Sequence, residues 1–244
     1  MRIDILTIFP NMFRGPFDES IVRRAIEGGI VSIQVHDIRR WATDKHKKVD
    51  EYPYGGGPGM VLKPEPVFAA TEAVLAMAPE QGPIILLTPI GRRFDHEVAV
   101  ELARERRLIF LCGHYEGFDA RVHEHLATRE ISIGDYVLSG GELAAMVVVD
   151  AVVRQLPGAL GSPQSAAQDT FAQGMLETPH YTRPPDFRGW SVPDVLLSGN
   201  HRQVARWRRL RGLLLTARRR PDLLDRLELT SEEREWLALN LGEQ

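Results

Sequence analysis

Ile131-Ser-Ile-Gly-Asp-Tyr-Val-Leu-Ser-Gly-Gly141 is the stretch on which the fold turns. A short β-branched run breaks at Gly134, closes on Gly140-Gly141, and gives way at once to an apolar helix predicted over 142–156. Glycine permits positive φ and lets a flat ligand approach the main chain closely. Between the glycines, Asp135, Tyr136, Val137 and Leu138 bring neither Lys nor Arg. Such a loop suits a neutral, planar group gripped by backbone atoms and makes a poor phosphate cradle. It points to a nucleoside-bearing cofactor without phosphates.

Working outward, strands are predicted over 3–9, 30–37, 83–88, 108–112 and 130–133, with helices over 18–28, 64–78, 95–106 and 119–127. Lys63-Pro64 opens the second of these helices, since proline suits a first helical turn. The polar stretch 40–59 reads as a long loop ending in Tyr54-Gly-Gly-Gly-Pro-Gly59. Alternating strands and helices, with strands that are continuous apolar runs, define an α/β fold: a mainly parallel sheet with helices on both faces. Ligands of such sheets sit beyond the carboxyl ends of the strands. Glycine-marked loops follow three of those ends, at Thr88–Gly91, Gly113–Gly117 and Gly134–Gly141.

Past Leu156-Pro157-Gly158 the pattern changes. Gly161-Ser-Pro-Gln-Ser-Ala-Ala-Gln168 is small and polar, the signature of a mobile linker. Helices are predicted over 200–217, 221–226 and 230–240, with Thr230 and Glu233 spaced as a capping box. The expected organisation is a cofactor-binding α/β domain over 1–160, a flexible linker over 161–172 carrying Asp169, and a small α-helical domain over 173–244. No internal repeat is visible.

The 244 residues are 43% hydrophobic and 26% charged, ordinary for a globular protein. No run approaches 18 apolar residues, and Met1-Arg2-Ile3-Asp4 does not open a signal peptide, so a cytoplasmic protein with no membrane partner is expected. The single cysteine, Cys112, lies in an apolar run and is expected to be buried and inert; it excludes an intrachain disulfide and a cysteine-based zinc site. The net charge of −3 conceals an asymmetry: residues 201–220 hold eight arginines and no acid, in a chain with four lysines. That cluster is either a phosphate-binding surface or a solvated helix face.

Phosphate loops, dinucleotide fingerprints and nucleophile elbows are absent. His123-Glu124-His125 lacks the spacing of a helical zinc site, and its histidines read as surface residues. Four residues or groups invite a chemical role. Asp169, on the linker, is either a solvated acid or a general base delivered by a loop that orders on substrate. Arg154, after the valine-rich run 147–153, must meet a carboxylate, a phosphate or a developing anion, and Asp150 offers a salt bridge as the alternative. Glu116 can accept from an amine or help hold hydrated Mg²⁺. Gly55, Gly56 and Gly59, beside Lys45-His-Lys-Lys48, form either a turn or a backbone surface for a nucleobase.

Pro53-Tyr-Gly-Gly-Gly-Pro-Gly-Met60, Cys112-Gly-His-Tyr-Glu-Gly117, Ser132-Ile-Gly-Asp-Tyr-Val-Leu138, Pro179-His-Tyr-Thr-Arg-Pro184 and Ser198-Gly-Asn-His201 together resemble the bacterial tRNA (guanine-N1)-methyltransferases. The resemblance runs from Ile3 to about Leu224. It implies methyl transfer from S-adenosylmethionine to N1 of guanosine 37, beside the anticodon. It also implies a trefoil knot in the α/β domain, a homodimer with shared active sites, a C-terminal domain that grips the tRNA anticodon stem-loop, and Mg²⁺ dependence. Carried over by position, the cofactor would touch Pro89, Gly91, Gly113, Glu116, Ser132, Ile133, Gly134, Asp135, Tyr136, Val137, Leu138, Gly140 and Gly141. Asp169 would be the base, supplied by the second subunit, and Arg154 the partner of the target base. Gly55, Gly56, Gly59 and Tyr115 would meet the substrate base or its neighbour, and Arg208 and Arg209 the phosphates. Ile90, Thr170, Glu51 and Glu177 depart from the family's usual glutamine, serine, aspartate and aspartate, and Glu177 leaves a metal or substrate role there in doubt. Two other readings stand beside this one: a related knotted enzyme acting on a ribose 2′-hydroxyl or another base, and a cofactor-free RNA-binding protein.

Overall fold

The computed structural model describes residues 1–161 and 169–242. The chain divides into two compact units, Met1–Pro163 and Gln164–Gln244. In the first unit, strands β1 (Arg2–Thr7), β2 (Ser32–Asp37), β5 (Ile84–Arg93), β6 (Arg107–Cys112) and β7 (Arg129–Ser132) form a wholly parallel sheet in the order β2-β1-β6-β5-β7. The short strands β3 (Asp50–Glu51) and β4 (Val61–Leu62) pair antiparallel beside it.

The central strands are buried on both faces, which is why they read as unbroken apolar runs. Ile3, Ile5, Ile85, Leu87, Leu108 and Phe110 face one core, completed by helices α1 (Ser20–Glu27), α3 (His96–Leu102) and α5 (Glu142–Val153). Leu6, Ile84, Leu86, Ile109 and Leu111 face the other, completed by α2 (Pro64–Ala76) and α4 (Ala120–His125). Helices on both faces agree with the sequence pattern. α5 buries Ala144, Ala145, Val148, Val149, Val152 and Val153 against the sheet, while Leu143 and Val147 are exposed, so its hydrophobicity extends beyond the face it packs within the chain.

Two boundaries differ from expectation. The strand predicted over 83–88 continues to Arg93, with Leu87 and Arg92 both standing opposite Ile131 of β7. Thr88–Gly91 is therefore an excursion inside a strand, not a loop after one. Pro89 cannot donate to a ladder, and Gly91 lies so close to β7 that an added Cβ would come 2.4 Å from the Ile131 nitrogen. Within the linker expected over 161–172, the described residues from Asp169 onward form a turn. Residues 162–168 lie outside the described residues, whereas Asp169 begins a hydrogen-bonded turn: the Ala172 N–H donates to the Asp169 carbonyl at 3.1 Å and the Phe171 N–H to that of Met175 at 3.0 Å.

In the second unit Met175 packs with Leu213, Leu214 and Leu237, from helices His201–Arg219 and Ser231–Asn240. The predicted capping box is formed, with the Glu233 N–H donating to Thr230 Oγ1 at 3.2 Å and the Thr230 N–H to Glu233 Oε2 at 3.0 Å. Short helices Asp194–Leu197 and Pro221–Leu224 and the hairpin Asp186–Phe187/Trp190–Ser191 complete this unit. Among the described residues, no helix is long and apolar enough to cross a membrane.

The amino ends of β1 and β6 are joined by a buried ion pair. Arg107 and Asp4 are both fully buried, with Arg107 Nε and Nη2 each 2.9 Å from Asp4 Oδ2. The same guanidinium donates to the carbonyls of Val74 at 2.6 Å, Leu75 at 3.2 Å, Ala78 at 3.1 Å and Glu80 at 3.2 Å, satisfying the orphan end of α2. Burial works to raise the Asp4 carboxyl, but hydrogen bonds from His36 and Arg2 and the charges of Arg107 and Arg2 outweigh it, holding the group well below the usual carboxylate range. Because the folded form holds this carboxylate charged, its contribution is present above the ordinary aspartate value of about 3.9 and is lost as pH falls below it.

Urea denaturation should show Arg107→Met losing about 3–5 kcal/mol, since it leaves the buried carboxylate with only Arg2 and His36 and strips the carbonyls at the end of α2 of their donor. Adding Asp4→Asn should recover part of that loss; additive losses would mean that the two residues do not act as a pair.

Candidate active site

Strands β6, β5 and β7 are neighbours, so their carboxyl ends open side by side. The loops that follow meet through main-chain contacts: the Gly141 N–H donates to the Gly113 carbonyl at 2.8 Å, and His114 and Gly140 form an isolated antiparallel bridge. A Cβ on Gly141 would stand 2.9 Å from Cys112 Cα, so only glycine allows this approach. The Gly134 turn is closed by Ser132, whose Oγ donates to the Gly134 carbonyl at 3.1 Å.

Between these loops lies a cavity of about 400 Å³, within the range of small-molecule sites. Its lining includes Pro89, Gly113, Tyr115, Glu116, Ser132, Ile133, Gly134, Tyr136, Val137, Leu138, Gly140 and Gly141, and contains neither Lys nor Arg. Two of the residues expected at the cofactor are not in the lining. Gly91 serves the close passage of β5 against β7, and Asp135 stands outside the cavity wall. His123 corrects a further expectation: it is half-buried, lines the cavity, and its Nδ1 lies 2.7 Å from Glu130 Oε1, whereas His125 is exposed.

The glycine loop Gly55–Gly59 is tied to the same region. The Glu116 N–H donates to the Met60 carbonyl at 3.0 Å, and a Cβ on Gly59 would meet Glu116 Oε1 at 2.4 Å. Gly55 and Gly56 adopt φ of +86° and +78° with open space around them, and Tyr54 beside them is fully exposed. Glu116 is exposed, and no group of three His, Cys, Asp or Glu among the described residues could hold a metal ion.

Arg154 ends α5 half-buried, its backbone N–H donating to the Asp150 carbonyl at 3.1 Å. Cys112 is fully buried, and burial, with the nearby Glu142 charge, pushes its thiol well above the usual range, as an inert cysteine requires. Sequence reasoning missed Thr7, His114 and Glu142. Glu142 is wholly buried and accepts from Thr7 Oγ1 at 2.6 Å. A carboxylate at the first position of an apolar helix was the available signal.

In the second unit, Asp169, Arg208 and Arg209 line one cleft of about 320 Å³. Arg208 is exposed, but Arg209 already donates to Glu233 Oε1 at 2.8 Å. Arg206 and Arg220 likewise pair with Glu232 and Asp222, so the eight-arginine run is partly neutralised by acids beyond residue 220.

Residues 1–226 match the family model described as tRNA (Guanine-1)-methyltransferase TrmD. The chain is 57% identical over 244 residues to a tRNA (guanine-N(1)-)-methyltransferase of Dehalococcoides mccartyi strain BAV1, covering 100% of this chain and 98% of the relative. Proteins of the same description from Geobacter sulfurreducens and Listeria innocua are 59% and 54% identical, over 98% and 97% of this chain and 97% of each relative.

Gly91→Ala and Gly141→Ala force a Cβ against main-chain atoms and should each cost about 1–3 kcal/mol in chemical denaturation. Gly55→Ala has open space and a strained φ only, so about 1 kcal/mol is expected. Equal costs at all three would show that the close approaches are relaxed in solution.

Proposed function

The chain belongs to the tRNA (guanine-1)-methyltransferase family, an S-adenosylmethionine-dependent group of enzymes, and from that premise we propose how its residues divide the work. The observation that carries the reading is the cavity at the ends of β5, β6 and β7, walled by main chain, apolar side chains and a few polar ones such as Glu116 and His123, without Lys or Arg. That lining fits an adenosyl group without phosphates. When bound there, S-adenosylmethionine supplies an activated methyl group on its sulfonium. Family membership sets aside the cofactor-free RNA binder and the ribose or other-base methyltransferase.

The acceptor is N1 of a guanine in tRNA, and we assign it to guanosine 37. N1 carries a proton at neutral pH and is a poor nucleophile until that proton leaves. Asp169 accepts it, acting from one subunit of a homodimer on a purine at the cavity of the other. Loss of the proton shifts negative charge toward O6, where the Arg154 guanidinium stabilises it. The base must first be unstacked from the anticodon stem-loop. Gly55, Gly56, Gly59 and Tyr115 offer it backbone and ring surface. In this reading the carboxyl-terminal part of the α/β domain forms the trefoil knot, and the unit from residue 173 onward grips the tRNA. Arg208 is its phosphate contact and Arg209 braces the fold through Glu233. A cytoplasmic setting fits a tRNA substrate. Mg²⁺ finds no protein cage among the described residues.

Asp169→Asn should lower kcat by about 10²–10⁴ while calorimetric affinity for S-adenosylmethionine changes little; loss of both together would make Asp169 structural. Arg208→Glu should weaken tRNA binding and flatten its dependence on salt. Arg209→Glu should instead lower the melting temperature, and an unchanged salt slope for Arg208→Glu would overturn the assignment.

A further inference from the structure

At the wall of the cavity, which His114 helps to line, two buried polar atoms face each other without hydrogen-bond partners: His114 Nδ1 and Glu142 Oε2, 3.7 Å apart. Each has its other contacts in place. Glu142 is anchored through Oε1 by Thr7 Oγ1, so its second oxygen has a set direction. The His114 ring lies 4.7 Å from that of Phe9 and 5.1 Å from that of Tyr115, the latter edge-on at 85°. Tyr115 sits in the left-handed region at φ +59°, a conformation that costs energy in a residue with a side chain. Gly140 passes directly over the pair: a Cβ there would come 2.3 Å from both Glu142 Oε2 and His114 Nδ1.

Two bare lone pairs facing each other in a buried place would leave two acceptors unsatisfied, each at a cost of about 1–3 kcal/mol. One proton between them removes both costs. A movement of about 1 Å would bring the atoms to the separation of a charge-assisted hydrogen bond. The groups facing the pair are Thr7 from β1, the Cys112 thiol at the end of β6, and Tyr115 on the loop; the other charged group lining this cavity is Glu116, with His123 across it.

We infer that Glu142 and His114 are a positioning pair for methyl transfer. The proton held between them locks the imidazole ring, and the ring locks Tyr115 and the Gly113–Gly117 loop at the cavity's edge. The glycine pair at 140–141 leaves the space in which this contact forms. His114 and Glu142 act through the loop and are not catalytic residues. This inference rests on the assignment of the cavity to S-adenosylmethionine made above.

The test combines spectroscopy on the wild-type protein with two variants. Long-range ¹H–¹⁵N correlation spectra of histidine-labelled enzyme, with His114 identified by its absence in His114→Phe or, if that variant does not fold, in His114→Asn, should show Nδ1 carrying the proton. A ring protonated on Nε2 alone overturns the pair. Glu142→Gln keeps an acceptor for Thr7, and His114→Phe keeps the ring contacts to Phe9 and Tyr115. Each should lower kcat about tenfold with both substrates saturating, while Kd for S-adenosylmethionine moves less than about threefold. His114→Arg, which keeps an N–H donor beside Glu142, should recover most of the rate. Unchanged kcat, equal loss of rate and cofactor affinity, or no recovery with arginine overturns the positioning role. If instead the wild-type enzyme binds S-adenosylmethionine elsewhere while Nδ1 is protonated, the cavity assignment fails and the pair stands as a structural contact.

Discussion

Gly141 rests against Cys112 and Gly113 at a distance that leaves no room for a side chain, and the arrangement of the cavity follows from that contact. It brings the chain leaving β7 against the chain leaving β6, and α5 starts at once from the point of contact. A larger residue would separate the loops and open the wall between them. Gly91 applies the same device on the other side, where the Thr88–Gly91 excursion leaves and rejoins β5 against the backbone of β7. A wall made largely of main chain and free of Lys and Arg can read a nucleoside by shape and hydrogen bonding without a cation for a phosphate.

The two ends of the sheet are stabilised by different physics. At the amino end, the buried Asp4–Arg107 pair joins β1 to β6 and satisfies the carbonyls at the end of α2. Its polar groups are nearly all partnered, as a buried charge requires. At the carboxyl end, the contacts are glycine approaches, and the buried polar pair His114–Glu142 is left open by 3.7 Å.

The arginine-rich helix shows how charge along the chain differs from charge in space. Eight arginines within residues 201–220 form an unbroken basic stretch in the sequence. Folding returns Glu232, Glu233 and Asp222 to three of them. Arg209 thereby becomes a contact that ties two helices, while Arg208 stays exposed on the cleft that also holds Asp169. The expectation of two equivalent phosphate contacts did not distinguish them, because Glu233 lies 24 residues from Arg209 along the chain.

The sequence by itself determined the α/β class, helices on both faces, the buried central strands, the inert Cys112, the Thr230 capping box and most of the residues around the cavity. These depend on local regularities: the run lengths of apolar residues, the spacing of caps, and glycines where strands end. The motifs that resemble the methyltransferase family added the activity that family membership establishes. Tertiary structure alone decided the strand order, the return of β5 at Arg92, the turn at Asp169 and the partners of Arg107, Arg209 and Glu142. All but the turn at Asp169 depend on groups distant along the chain, such as Thr7 and Glu142 at 135 residues or Asp4 and Arg107 at 103. Local periodicity shows which face of an element is buried, but only packing chooses which distant residue meets it there.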